Sequence, residues 1–117
     1  MTEQKLKIHK MKLSEPWYSF VKFNTKTMET RLYDEKRKLL NIGDKIVFTN
    51  ELEKYSFTKT IKDLRIFKSF ELALRWGKLK NILPGTRTYE NGVKLYHSIS
   101  LYKENEYKLG VLLIMFN

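Results

Sequence analysis

Within the segment "NTKTMETRLY" a lysine, a glutamate and an arginine stand at positions 26, 29 and 31. Lys26 and Arg31 are suited to meet a phosphate or a base carbonyl, and Glu29 to accept from an exocyclic amine. The same three residues can instead close on one another, Glu29 being neutralised by Arg31 across one strand face. Burying such charges is costly unless they are paired and hydrogen-bonded. Five aromatic residues flank the trio: Trp17, Tyr18, Phe20 and Phe23 before it and Tyr33 after it. A base lying flat on an aromatic ring gains about 1–3 kcal/mol. Trp17 and Phe20 fall on an apolar helical stripe expected to face the core, so Tyr18 and Tyr33 are the stacking candidates.

The elements that must position these residues follow from periodicity. "SEPWYSFVKF" predicts a helix over 14–23, with Ser14 as its cap, Pro16 in the first turn and Trp17, Phe20 and Val21 at i, i+3, i+4. After Asn24, the run "TKTMETRLY" reads as a strand. Its period of two places Thr27, Glu29 and Arg31 on one face and Met28, Thr30 and Leu32 on the other, which adds Thr27 to the candidate ligand-binding residues. "DEKRKLL" predicts a capped turn or two. Gly43-Asp44 marks a turn into the buried strand Ile46-Val47-Phe48, and "SFTKTIKDLRIF" a long strand. Ser69 caps a short helix over "SFELALRW". Residues 79–91 read as loop with a Pro84-Gly85 turn, and "GVKLYHSISLYKENEY" as a second helix. The apolar run in "LGVLLIMF" fits the middle of a sheet. Residues 1–10 form a basic arm or a first strand, their apolar residues switching parity between Ile8 and Met11. Strand is expected to exceed helix, around a single core shared by Ile46, Phe48, Val111, Leu113 and Phe116.

Composition bounds the partners. The 117 residues suffice for one domain with one core. There are 23 basic and 13 acidic residues, for a net charge of +10. A field of that sign attracts polyanions, of which nucleic acid is the commonest in a cytosol. Residues 54–80 carry eight basic and two acidic side chains; Lys59, Lys62, Lys68, Arg75 and Lys78 form the candidate basic patch. With no cysteine there is no disulfide, thiolate zinc site or cysteine nucleophile. His9 sits among lysines as a solvated residue, and neither it nor His97 has a partner at metal-ligand spacing, so neither metal nor cofactor is expected. No phosphate-binding glycine loop or nucleophile elbow occurs. The N-terminus lacks an apolar targeting segment and no run is long enough to cross a bilayer, which predicts a soluble, cytoplasmic protein without membrane contact.

The residues Lys26, Glu29 and Arg31 with their spacing resemble the G-x-K-x-x-E-x-R signature of the ASCH family, a branch of the PUA-like β-barrels associated with RNA. "DEKRKLLNIGDKIVFTN", "FKSFE" and "YKENEYKLGVLLI" resemble further stations of that family in the same order, from about Met11 to Ile114. Asn24 stands where the signature has glycine, and residues 76–92 follow no family pattern. The resemblance implies an α+β fold: a small, mostly antiparallel PUA-like barrel of five or six strands with two or three short helices. It implies a domain that binds RNA or a modified nucleoside through a Lys26/Glu29/Arg31 pocket with a basic rim. Some ASCH relatives hydrolyse the acetyl amide of N4-acetylcytidine with a lysine at the position of Lys26 and a threonine at that of Glu29. Others are linked to RNA cleavage. A hydrolase using Lys26 and Glu29 is therefore the alternative, and a non-catalytic interaction protein a third.

Overall fold

The structure, a computed structural model, describes residues 5–117. Five strands form one sheet: β1 (Ile8–Lys12), β2 (Met28–Leu32), β3 (Lys45–Thr49), β4 (Ser56–Phe67) and β5 (Val111–Phe116). Their order is β1-β3-β4-β5-β2, with β1 parallel to β3 and the other three pairings antiparallel. β4 is long enough to serve two partners. Its first half pairs with β3 and its second with β5, and the register slips between Ile61 and Asp63. A bulge of this kind bends a strand and increases its twist, and here it curls the sheet into a half-barrel.

Five short helices decorate the sheet: α1 (Trp17–Lys22), α2 (Phe70–Gly77), α3 (Leu79–Ile82), α4 (Tyr89–His97) and α5 (Tyr102–Leu109). The α+β half-barrel agrees with the fold class expected from sequence, but helix slightly exceeds strand. Three expected elements changed. Residues 79–91, read as loop, contain α3 and the first turn of α4, whose cap is Thr88 Oγ1 accepting from the Asn91 amide at 3.1 Å. The single helix expected over 92–107 is two, broken where Leu101 adopts a left-handed φ of 70°. α1 starts three residues later than predicted: Ser14 does not cap it, and Glu15 instead accepts from the Ser19 amide at 2.9 Å. Other turn residues behave as their types dictate. Asn24 (φ 65°), Gly43 (φ 94°) and Gly85 (φ 90°) all occupy the left-handed region.

The expected single core is also revised. Met11, Val21, Ile46, Phe48, Ile61, Leu112, Ile114 and Phe116 fill the barrel. Leu32, Phe70, Leu74, Ile82, Tyr96, Val111 and Leu113 pack on the other side, under α2–α4. β5 alternates its residues between the two, so an unbroken apolar run is what a strand covered on both faces requires. β1 reaches the sheet through a polar clamp. The buried Asp44 carboxylate accepts from the Lys7 and Asn41 amides at 3.1 Å and lies 2.8 Å from His9 Nε2, so His9 is not the solvated residue expected.

Gly77 ends α2 where only hydrogen fits. A Cβ there would stand 2.7 Å from Ile82 Cδ1, 3.0 Å from Met28 Sδ and 3.1 Å from Leu113 Cδ1. Gly77→Ala should lose about 1–3 kcal/mol of stability through this overpacking, despite alanine's better helix propensity. Chemical denaturation measures it; an unchanged midpoint would show that α3 gives way freely.

Candidate functional site

The signature segment reaches its position by a tight local path. The amides of Thr25 and Lys26 both donate to the Phe20 carbonyl at the end of α1, at 2.8 and 2.9 Å, and the left-handed Asn24 closes the turn. The Thr27 amide then donates to the Asn81 carbonyl at 3.0 Å, fixing the chain against α3 before β2 begins. The turn throws Lys26 inward. Its side chain is 1% exposed, the ammonium donates to the Ile82 carbonyl, lies 3.4 Å from Glu29 Oε1 and faces the Trp17 ring at 5.7 Å from its centroid.

Glu29 joins both cations. Its second oxygen is 3.5 Å from Arg31 Nη2, which also donates to the Lys12 carbonyl at 3.2 Å. The Thr30 amide donates to Glu29 Oε1 at 2.9 Å, so the carboxylate covers part of the open edge of β2, the last strand of the sheet. Burial pushes the Lys26 ammonium below its ordinary value, against the opposing pull of Glu29. Burial alone would raise the Glu29 carboxyl, but Lys26, Arg31 and the Thr30 amide outweigh it and hold the group low. For Arg31, burial works against the charge, and Glu29 with the two nearby tyrosines overcomes it. The trio is one carboxylate between two cations, with a net charge of +1.

Above this floor lies a pocket of about 370 Å³, within the range of small-molecule sites, about 300–1,000 Å³. Trp17 and Tyr102 supply aromatic wall, and Thr30 and Tyr96 also line the pocket. Tyr96 and Tyr102 both stack on Phe70, with centroids at 4.4 and 5.5 Å and nearly parallel rings, which anchors the α4–α5 side of the pocket to α2. Glu106 reinforces it by accepting from the Phe70 amide at 2.6 Å and lying 2.8 Å from His97 Nε2. Four buried side-chain polar atoms among the described residues lack a partner, and two of them, Thr30 Oγ1 and Tyr96 Oη, belong to residues that line this pocket. Burial and the Glu29 charge push the Tyr96 phenol well up. The Thr30 hydroxyl is near enough to oppose that shift, yet no hydrogen bond of ordinary geometry joins the two.

The sequence-derived candidates divide accordingly. Lys26, Glu29 and Arg31 converge in the pocket. Thr27 does not line it and lies half-buried outside. Tyr18, expected to stack on a base, is 5% exposed inside the barrel, edge-on to Phe57 at 5.0 Å. Tyr33 packs against the barrel core with Lys38 over its ring, away from the pocket. Trp17, assigned to the core, is the aromatic residue of α1 that reaches the site. Lys59, Lys62, Lys68, Arg75 and Lys78 lie on or beside β4 and α2 and do not line the pocket. Lys59 donates to Asn24 Oδ1, and Arg75 pairs with Glu71 and covers the Tyr89 ring. Thr30, Tyr96 and Tyr102 were missed: the first because strand alternation assigns it to the opposite face, the tyrosines because they sit either side of an unforeseen helix break. No group of three or more metal-binding side chains occurs among the described residues, and no helix there is long and apolar enough to cross a membrane.

Fold and site together define a small α+β half-barrel with a buried ionic triad under a pocket at the sheet's open edge. No protein-family model and no curated protein matches the chain. Two solved structures are similar over nearly its whole length. The crystal structure of hypothetical protein PH0355 has a TM-score of 0.84 and 36% identity, covering 96% of this chain and 98% of that one. The solution NMR structure of protein PF0455 from Pyrococcus furiosus has a TM-score of 0.72 and 32% identity, covering 94% of this chain and 96% of the other. The chain belongs to the family that contains these two proteins.

The ionic floor makes a signed prediction. Because the folded Glu29 carboxyl is held below 4.5, its stabilisation is complete above about pH 4.5 and lost as pH falls through the folded value. Glu29→Gln should cost about 3–5 kcal/mol near neutrality by leaving Lys26 without its counter-charge. The lowered Lys26 value means the unfolded chain binds more protons than the folded one as pH rises towards 10.5, so alkali should restore part of that loss. Melts of parent and variant at about pH 3, 7 and 9 should show the widest gap in the middle. A gap that grows with pH, or none at all, would show that the triad is not paired as described.

Proposed function

We propose that this protein is an ASCH-type, PUA-like domain that binds RNA or a modified nucleoside, with one base held in the pocket over Lys26, Glu29 and Arg31. The observation that carries this reading is the pair of unpartnered hydroxyls beside a fully paired ionic floor. A buried polar group without a partner costs about 1–3 kcal/mol, which an incoming donor or acceptor recovers. Arg31, the most exposed of the three charges at 18%, is the one placed to meet a carbonyl or phosphate at the mouth. Trp17 and Tyr102 offer the flat apolar surface a base needs. The sequence resemblance supplies the ligand class; the pocket's size, sign and aromatic walls are consistent with it.

Hydrolysis is the second reading, favoured by one observation. Burial lowers the Lys26 ammonium from its ordinary value, and an ammonium so lowered gives up a proton to a leaving group more readily. An acyl-transfer nucleophile, however, needs a base within hydrogen-bond reach. Thr30 Oγ1, the hydroxyl of a threonine that lines the pocket, has the Tyr96 phenol and no base beside it, and Glu29 occupies the position where amide-hydrolysing relatives carry threonine. Binding therefore ranks first.

Thr30→Val and Tyr96→Phe separate these roles from simple packing. If the hydroxyls await a ligand, both variants should melt at or slightly above the parent, by up to about 1 kcal/mol, yet bind cytidine, N4-acetylcytidine or a short RNA roughly tenfold more weakly. Isothermal titration with chromatography of the mixture reads both. Retention without product supports the binding domain, release of free cytidine or cut RNA makes it a hydrolase, and unchanged affinity for every ligand removes the hydroxyls from recognition.

A further inference from the structure

Two further concavities adjoin the pocket and share lining residues with it. One, bounded by Gly85, Arg87, Asn91 and Lys94, meets the pocket at Leu95 and Ser98. The other, bounded by Lys10, Lys36 and Thr49, meets it at Lys12. The three adjoin in the order cationic cleft, buried site, second cationic cleft. The charges of the two clefts are free to engage. Arg87, Lys10 and Lys36 have no ion-pair partner among the described residues. Lys94 pairs with Glu90 at 3.3 Å and Lys12 with Glu53 at 3.8 Å, both through largely exposed side chains, and such pairs are worth little and exchange readily for phosphate. Glu53 is the one carboxylate lining either cleft.

We infer that these clefts are the flanking subsites of a groove for single-stranded nucleic acid, in which one nucleotide turns into the central pocket and its neighbours' phosphates follow the Arg87/Lys94 and Lys10/Lys36 sides. The inference rests on the pocket being a nucleoside site and extends it: the ligand is a strand rather than a free nucleoside. The geometry favours a strand because the central pocket holds about one nucleoside while positive charge continues beyond it on both sides, a pattern that a small molecule would not use. A duplex would have to open before a base could enter a pocket floored by buried side chains. The Arg87/Lys94 cleft is built from the 85–98 stretch, overlapping the segment that has no family pattern, so this side is a feature of this chain's own residues.

The experiment compares a mononucleotide with single-stranded heptamers of RNA and DNA, by fluorescence anisotropy over a range of salt. The proteins are the parent, Arg87→Ala/Lys94→Ala, Lys10→Ala/Lys36→Ala, the control Lys62→Ala/Lys68→Ala, which removes equal charge outside the clefts, and Tyr96→Phe. A heptamer should bind at least about tenfold more tightly than the mononucleotide. Each groove variant should lose most of that gain and lower the salt slope by about 1.4, two single-strand phosphate contacts, while mononucleotide affinity stays. The control should lose no more than about threefold. Equal affinity for heptamer and mononucleotide, or an equal loss in the control, overturns the groove. In that case mononucleotide binding that still falls in Tyr96→Phe leaves the pocket reading standing. Heptamer binding that depends on the groove residues but is indifferent to Tyr96→Phe overturns the pocket reading and with it the inference that a base turns into the pocket.

Discussion

The ammonium of Lys26 is the constraint around which the domain is arranged. A lysine that is 1% exposed is tolerated only if its charge is matched and its protons are used. Glu29 supplies the charge, the Ile82 carbonyl accepts a hydrogen bond, and the Trp17 face completes the enclosure. Each partner comes from a different element: β2, the end of α3, and α1. Satisfying one cation therefore fixes three elements relative to one another. The left-handed Asn24 and the close packing at Gly77 follow from that demand, the first turning Lys26 inward and the second bringing Ile82 near enough to accept. A methionine or leucine at position 26 would fill the volume at less electrostatic cost, so the retained charge points to use rather than to stability.

The site lies where the two apolar clusters part. β5 feeds both, and β4, bent at its bulge, carries the sheet from one to the other. Trp17 packs against both clusters at once. Where two cores diverge at a sheet's edge, close packing cannot continue, and a concavity remains. Its floor is the edge of β2, whose Thr30 amide is bonded by the Glu29 side chain rather than by another strand. The same carboxylate thus balances two cations and blocks an edge that would otherwise invite a further strand.

Much of this was legible in the sequence. The Glu29/Arg31 pairing was the alternative that strand alternation offered to a ligand-facing trio, while the caps at Asp34 and Ser69 came from residue type and the doubly covered β5 from its unbroken apolar run. The misreadings have physical sources. Four aromatics within seven residues give α1 two overlapping apolar stripes, and packing buries the Tyr18/Val21 stripe, leaving Trp17 half-buried at the pocket. Alternation placed Thr30 opposite Glu29, which holds for an inner strand. At an open edge, a pocket can wrap around and take side chains from both faces. The break between α4 and α5 depends on Leu101 entering a conformation that leucine disfavours, so no local signal could announce it.

That break bears on what the pocket can recognise. Had residues 89–109 formed one helix, Tyr96 and Tyr102, six positions apart, would have pointed in different directions around its axis. The left-handed Leu101 redirects the chain so that both rings meet Phe70, and through it the N-terminus of α2, where Glu106 accepts from the Phe70 amide. The strain of a leucine at positive φ is balanced by this stack and by the buried carboxylate. Such strain persists only when the surroundings over-determine it, and it gathers at binding sites. Here the over-determined element is a wall carrying one unpartnered hydroxyl and one aromatic face. The sequence concentrates charge on one side of the pocket and rigid, directional neutral groups on the other. The ionic side presents net positive charge, which has no directional preference among anions, whereas the Tyr96 and Thr30 hydroxyls are held by packing at fixed positions on the neutral side.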